Sequence, residues 1–124
     1  MKHLKLFENF NNGRNLSIFL EELKRYNLKR GDYAIFGSAP LVAKGIIDDV
    51  NDLDVIIKPS KWTFNEAGEY RTKNIEFFDN WYGFDIEDLI DNHTFEHDGF
   101  DYVDLEWVMK YKRMLSRSKD KDLI

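Results

Sequence analysis

Asp52-Leu53-Asp54-Val55-Ile56-Ile57 is the stretch on which the reading of this chain turns. Its β-branched run favours an extended strand. Side chains at alternate positions of a strand share a face, so Asp52 and Asp54 point one way. Leu53 and Val55 then pack into the core on the other side. Two carboxylates held that close repel each other unless a cation lies between them. Oxygen-only ligands favour Mg²⁺ or Mn²⁺ over zinc.

Upstream, Tyr33-Ala34-Ile35-Phe36 is a short apolar run that reads as a buried strand and stops at Gly37-Ser38. Ala39 to Lys44 reads as a short helix with Pro40 in its first turn, where proline is tolerated, and Gly45 ends it. Glycine lets another group approach the backbone closely, and the start of a helix offers free N–H groups to a phosphate. One strand end suited to phosphates beside another suited to metals is what in-line phosphoryl or nucleotidyl transfer requires.

Working outward, Asn11-Asn12-Gly13 signals a turn, and Leu16, Phe19, Leu20 and Leu23 recur at helical spacing. Pro59-Ser60 closes the acidic strand and predicts a helix through Trp62 and Phe64. Lys73 to Phe78 predicts a strand with Ile75 and Phe77 on one face, Glu76 and Phe78 on the other. A short helix is expected around Ile86 to Ile90. Phe95-Glu96-His97 and Phe100-Asp101-Tyr102, split by Asp98-Gly99, predict a hairpin with a tight primed turn. From about Asp104 an amphipathic helix is phased by Leu105, Val108, Met109, Lys112 and Leu115. The order α-β-α-β-α-β-α-β-β-α predicts one α/β (α+β) domain over residues 1–124, a mixed sheet flanked by helices.

Composition limits the alternatives. The 124 residues suffice for one core, and 43% hydrophobic with 33% charged residues fits neither disorder nor a membrane protein. No apolar run approaches the ~20 residues that span a bilayer. The first residues lack the pattern of a secretory leader, and there are no cysteines, so disulfides and thiolate metal sites are excluded. A cytoplasmic location is the expectation. A net charge of −5 argues against a protein that grips nucleic acid mainly through phosphates. Acidic residues crowd positions 48–104, whereas 110–121 is basic.

Gly37-Ser38, followed by Asp52-Leu53-Asp54 on an apolar strand, is similar to the signature of the polymerase-beta-like nucleotidyltransferase superfamily. The run from Leu105 through Lys112 to Arg117-x-Lys119-Asp120 resembles the tail of its small bacterial and phage members, in which a helix carries a lysine and a turn follows. The matches cover residues 33–57 and 103–124. The resemblance implies a minimal fold of that superfamily with two metals, Mg²⁺ or Mn²⁺, on three carboxylates. Asp52 and Asp54 would be the first two. Glu76 is the expected third, from a neighbouring strand, with Asp79 in reserve and Asp85 after it. Gly37 and Ser38 would cradle the phosphates of an NTP, and Lys112, Arg117 and Lys119 would face the triphosphate or the acceptor.

Other readings carry less. His93 and His97 stand four apart and would share a face on a helix, but Asp98-Gly99 suggests a strand and turn there, and a zinc site needs a third ligand. Residues 37–45 lack the Gly-Lys-Ser/Thr ending of a P-loop, and 48–54 lacks the spacing and central glycine of an EF-hand. Most of the aromatic residues are expected in the core, with a few free to stack on a base. The expected activity is transfer of a nucleoside monophosphate from an NTP to a hydroxyl or phosphate acceptor on RNA, protein or a small molecule. The competing class is a non-catalytic module of the same fold: a partner subunit of an oligomer, a phage accessory protein or a toxin–antitoxin component.

Overall fold

The computed structural model describes residues 15–123, with side chains as far as residue 115. The expected turn at Asn11-Asn12-Gly13 lies outside the described residues. Helix α1 covers residues 15–24 of the described chain, and Leu16, Leu20 and Leu23 bury the stripe that their spacing predicted. Strand β1 (Tyr33–Phe36) is buried along its whole length. That is why it reads as a continuous apolar run, since both faces of the strand are covered. A one-turn helix α2 (Ala39–Ala43) follows, then β2 (Leu53–Ile57).

Beyond β2 come β3 (Glu69–Arg71), β4 (Ile75–Phe78), helix α3 (Ile86–Asn92), β5 (Thr94–His97), β6 (Phe100–Val103) and helix α4 (Leu105–Leu123). The strands form one six-stranded mixed sheet in the order β3-β4-β2-β1-β6-β5. Strand β1 runs antiparallel to β2 and parallel to β6, and β2 runs parallel to β4. This is the mixed sheet flanked by helices expected from the sequence.

The strand alternation sorts the core into two layers. Tyr33, Ile35, Leu53, Val55, Ile57, Ile75 and Phe77 face α1. Ala34, Phe36 and Ile56 face the other way, against Ile86, Leu89 and Ile90 of α3 and Val108 and Tyr111 of α4. Asp54 and Glu76 alternate with the first set and therefore lie on the α3/α4 side. No described helix is long and apolar enough to cross a membrane.

Three expectations need correction. The helix through Trp62 and Phe64 is a single 3-10 turn, Pro59–Lys61. Trp62 and Phe64 instead sit in an aromatic cluster with ring centroids 5.1 Å apart, and Phe64 stacks on Tyr70 at 4.4 Å. Anchors two residues apart hold an extended chain and do not match a helical period. Strand β3 was not anticipated: three residues with two exposed side chains leave almost no pattern. The expected turn at Arg117-x-Lys119-Asp120 is part of α4, where neither glycine nor proline interrupts the chain. The hairpin, in contrast, is as predicted. Asp98 (φ 51°) and Gly99 (φ 86°) are both left-handed, as a primed two-residue turn requires, with His97 opposite Phe100.

Candidate metal centre

Asp54 lies on β2, with Phe36 as its partner on β1 and Glu76 as its partner on β4. Asp52 stands two residues before it, just ahead of the strand. One carboxylate oxygen from each of Asp52, Asp54 and Glu76 lies within 4.8 Å of the others, an arrangement able to hold a metal ion. All three side chains are half-buried.

The register that brings them together is anchored on both sides. Leu53 is fully buried, and its amide donates to the Asn74 carbonyl at 2.9 Å, joining the segments that carry Asp52 and Glu76. Asn74 in turn donates its side-chain amide to Glu22 of α1 at 2.8 Å. Thr72 Oγ1 accepts from the Ile75 amide at 3.0 Å and closes the turn between β3 and β4. That turn sets Arg71 opposite Glu76, and the guanidinium donates to its carboxylate at 2.8 Å.

Gly37 is the close-approach residue. Its φ is +68°, and a Cβ there would run into the Asp54 carboxylate. Both facts exclude a larger residue from the end of β1. Ser38 follows, and its hydroxyl accepts a hydrogen bond from the Lys112 ammonium of α4. Lys112 thus connects the last helix to the end of β1, beside the carboxylates.

Burial pushes the Asp54 carboxyl up to about 7, and the charges of Asp52 and Glu76 add to that rise. Lys112 and Arg71 oppose it, though they do not cancel it. A half-buried carboxylate with two acidic neighbours lacks positive charge, which a divalent cation would provide.

Asp52 and Asp54 sit between two depressions. The larger, about 640 Å³, is also lined by Glu76, Phe78, Trp81, Tyr82 and Tyr111. The smaller, about 280 Å³, is also lined by Ser38, Asp49 and Asn51. The carboxylates therefore meet an aromatic wall on one side and the Gly37-Ser38 turn on the other.

Among the expected site residues, Asp52, Asp54, Glu76, Gly37, Ser38 and Lys112 come together. The side chains of Arg117 and Lys119 lie outside the described residues. Asp79, the reserve ligand, is not in the cluster. Asp85 caps α3, accepting from the Asp88 amide at 3.1 Å. His93 contacts Asp88 at 3.1 Å and His97 contacts Asp98 at 3.3 Å, so the two imidazoles have separate partners.

Arg71 was not singled out from the sequence, nor was the wall of Trp81, Tyr82 and Tyr111. A signal for Arg71 does exist in hindsight: Thr72-Lys73-Asn74 is a short polar turn, which folds the preceding residue back against Glu76.

Fold and site together define an α/β domain with a three-carboxylate centre at the edge of an open cavity. Comparison with family models, with curated proteins and with solved structures finds no match to the chain.

Proposed function

We propose that the protein is a Mg²⁺-dependent nucleotidyltransferase, moving a nucleoside monophosphate from an NTP to a hydroxyl or phosphate acceptor and releasing pyrophosphate. The observation that carries this reading is the convergence of Asp52, Asp54 and Glu76 within 4.8 Å, beside the Gly37-Ser38 turn and the Lys112 ammonium. The donor set suits the ion: three carboxylates, all oxygen, with no sulfur or imidazole among them.

Bound there, a magnesium ion would supply positive charge to the phosphate oxygens of the donor. The chain's own residues do the rest. Asp52 and Asp54 would hold the ion, and Glu76 would complete the set and take the proton of an acceptor hydroxyl. The acceptor oxygen then bonds to the α-phosphorus as the bond to the pyrophosphate leaving group breaks. Ser38 and Lys112 offer a hydroxyl and an ammonium to the departing phosphates. Arg117 and Lys119 join them on the sequence resemblance alone.

The test is pyrophosphate release and calorimetric binding of an NTP with Mg²⁺ in the wild type, Asp52→Ala and Asp54→Ala. Each substitution is expected to lower turnover by on the order of a hundredfold or more, the scale at which a single electrostatic stabiliser contributes. Unchanged Mg²⁺-dependent binding in both variants would sink the proposal.

One observation favours a second reading, a non-catalytic module of the same fold. Arg71 already pairs with Glu76 at 2.8 Å, giving the third carboxylate an internal counter-charge. Measurable pyrophosphate release with any NTP and acceptor rules this reading out.

A further inference from the structure

Three non-glycine residues among those described have left-handed backbone: Asn27, Asp98 and Tyr82. Asn and Asp visit that region readily, because their short polar side chains bond locally. Tyr82, at φ 52°, has no such excuse. Its side chain does not recover the cost by burial either, since the residue is 59% exposed. A strained backbone holding a large aromatic ring in water is a feature that folding alone does not favour.

The ring is nevertheless firmly placed. It meets Trp81 edge-on at 5.3 Å and lies 5.3 Å from Tyr111. Trp81 and Tyr111 are buried, and each packs on the fully buried Phe36, at 5.3 and 5.7 Å. Tyr82 is thus the exposed end of an aromatic stack rooted in the core. Its position needs no ordering when a ligand arrives, and that lowers the entropic cost of binding.

The location gives this ring a partner. Tyr82 lines the same 640 Å³ cavity as Asp52, Asp54 and Glu76, a volume within the range of small-molecule sites. Asp52 and Asp54 line both this cavity and the smaller depression that holds Ser38. The aromatic wall and the proposed phosphate end therefore flank the same pair of carboxylates.

We infer that Tyr82 is the stacking surface for the nucleobase of a nucleoside triphosphate whose phosphates lie at the carboxylate end. The inference rests on the nucleotidyltransferase reading of the centre. Every base has a π-face, so a single stacking ring contributes affinity with little discrimination among bases.

The experiment measures calorimetric affinity for two probes, ATP and inorganic tripolyphosphate, each with Mg²⁺. Wild type is expected to bind ATP about tenfold more tightly than tripolyphosphate, the scale of one stacked base. Tyr82→Ala is expected to remove that advantage and to leave tripolyphosphate binding unchanged. Tyr82→Phe, which keeps the ring, is expected to restore most of it.

Tyr82→Gly separates a binding role from a structural one. It relieves the left-handed strain while deleting the ring, so it is expected to lose the ATP advantage with the fold retained. An ATP advantage that survives in Tyr82→Gly would overturn the inference, whatever the change in Tm. Equal wild-type affinity for ATP and tripolyphosphate would overturn the nucleobase assignment alone and leave the polyphosphate reading standing. Failure of wild type to bind either probe would overturn both.

Discussion

The two faces of the sheet around β2 and β4 are built from the same strands and put to opposite uses. On the α1 side, Leu53, Val55, Ile57, Ile75 and Phe77 form an uninterrupted apolar layer. On the α3/α4 side, Ile56 is buried in core and Phe78 packs against it, but Asp54 and Glu76 come between that packing and the open end. Covering helices and aromatic packing close the first face, whereas the second is left open where the carboxylates lie. Because the side-chain period of a strand is two, one pair of adjacent strands delivers both a packed layer and a charged cluster. The tight layer also keeps the charged one in register: Leu53 cannot shift without exposing an apolar surface, and Asp52 and Asp54 move with it.

The largest test strikes the closed face. Phe77→Ala removes a fully buried ring and is expected to destabilise the fold by about 3–5 kcal/mol, read from denaturant unfolding. If the two faces are coupled as described, the same variant also weakens Mn²⁺ binding, although Phe77 belongs to the opposite, α1-side layer. Loss of stability with unaltered Mn²⁺ affinity would show the faces to be independent.

The next test belongs to the open face. Asp54 keeps its proton to about pH 7 in the folded chain, whereas its ordinary value is 3.8. Between those values the folded state holds a proton that the unfolded state has released. Raising the pH through this window therefore destabilises the metal-free protein, with full stability below it. Tm is expected to fall as pH rises from about 4 to 7, and this fall should be largely absent in Asp54→Asn or with saturating Mn²⁺. A Tm that climbs through that window in metal-free wild type, with no Asp54→Asn effect, would contradict the crowding of negative charge.

The smallest expected effect is that of Arg71→Gln. Its ion pairs with Glu76 and Glu69 are exposed on the guanidinium side, so stability should change by less than about 1 kcal/mol. Mn²⁺ affinity should rise a few-fold by titration, since a competing internal cation has gone. A fall in affinity would instead make Arg71 a positioning residue for Glu76.

How much of this was legible depends on how local each signal was. β1, β2 and β4, the β5–β6 hairpin and helices α1, α3 and α4 all left their own periodicity or turn residues in the sequence. Strand β3 did not, because an exposed three-residue edge gains its structure from β4 and not from its own pattern. Trp62 and Phe64 misled for the same reason. Their aromatic character indicated burial, but only their stacking partners decided that the chain there is extended.

The sequence by itself determined that Asp54 faces away from Leu53 and Val55, that Gly37 ends a buried strand, and that a mixed α/β sheet results. These follow from the strand period and from glycine's freedom, which act over neighbouring residues. The resemblance named Glu76 and Lys112, but only tertiary structure sets Glu76 beside Asp54, brings Arg71 and Lys112 to the cluster and places Tyr82 in the cavity lining. Those contacts join segments far apart along the chain. They depend on strand register and helix packing, which no local pattern of residues encodes.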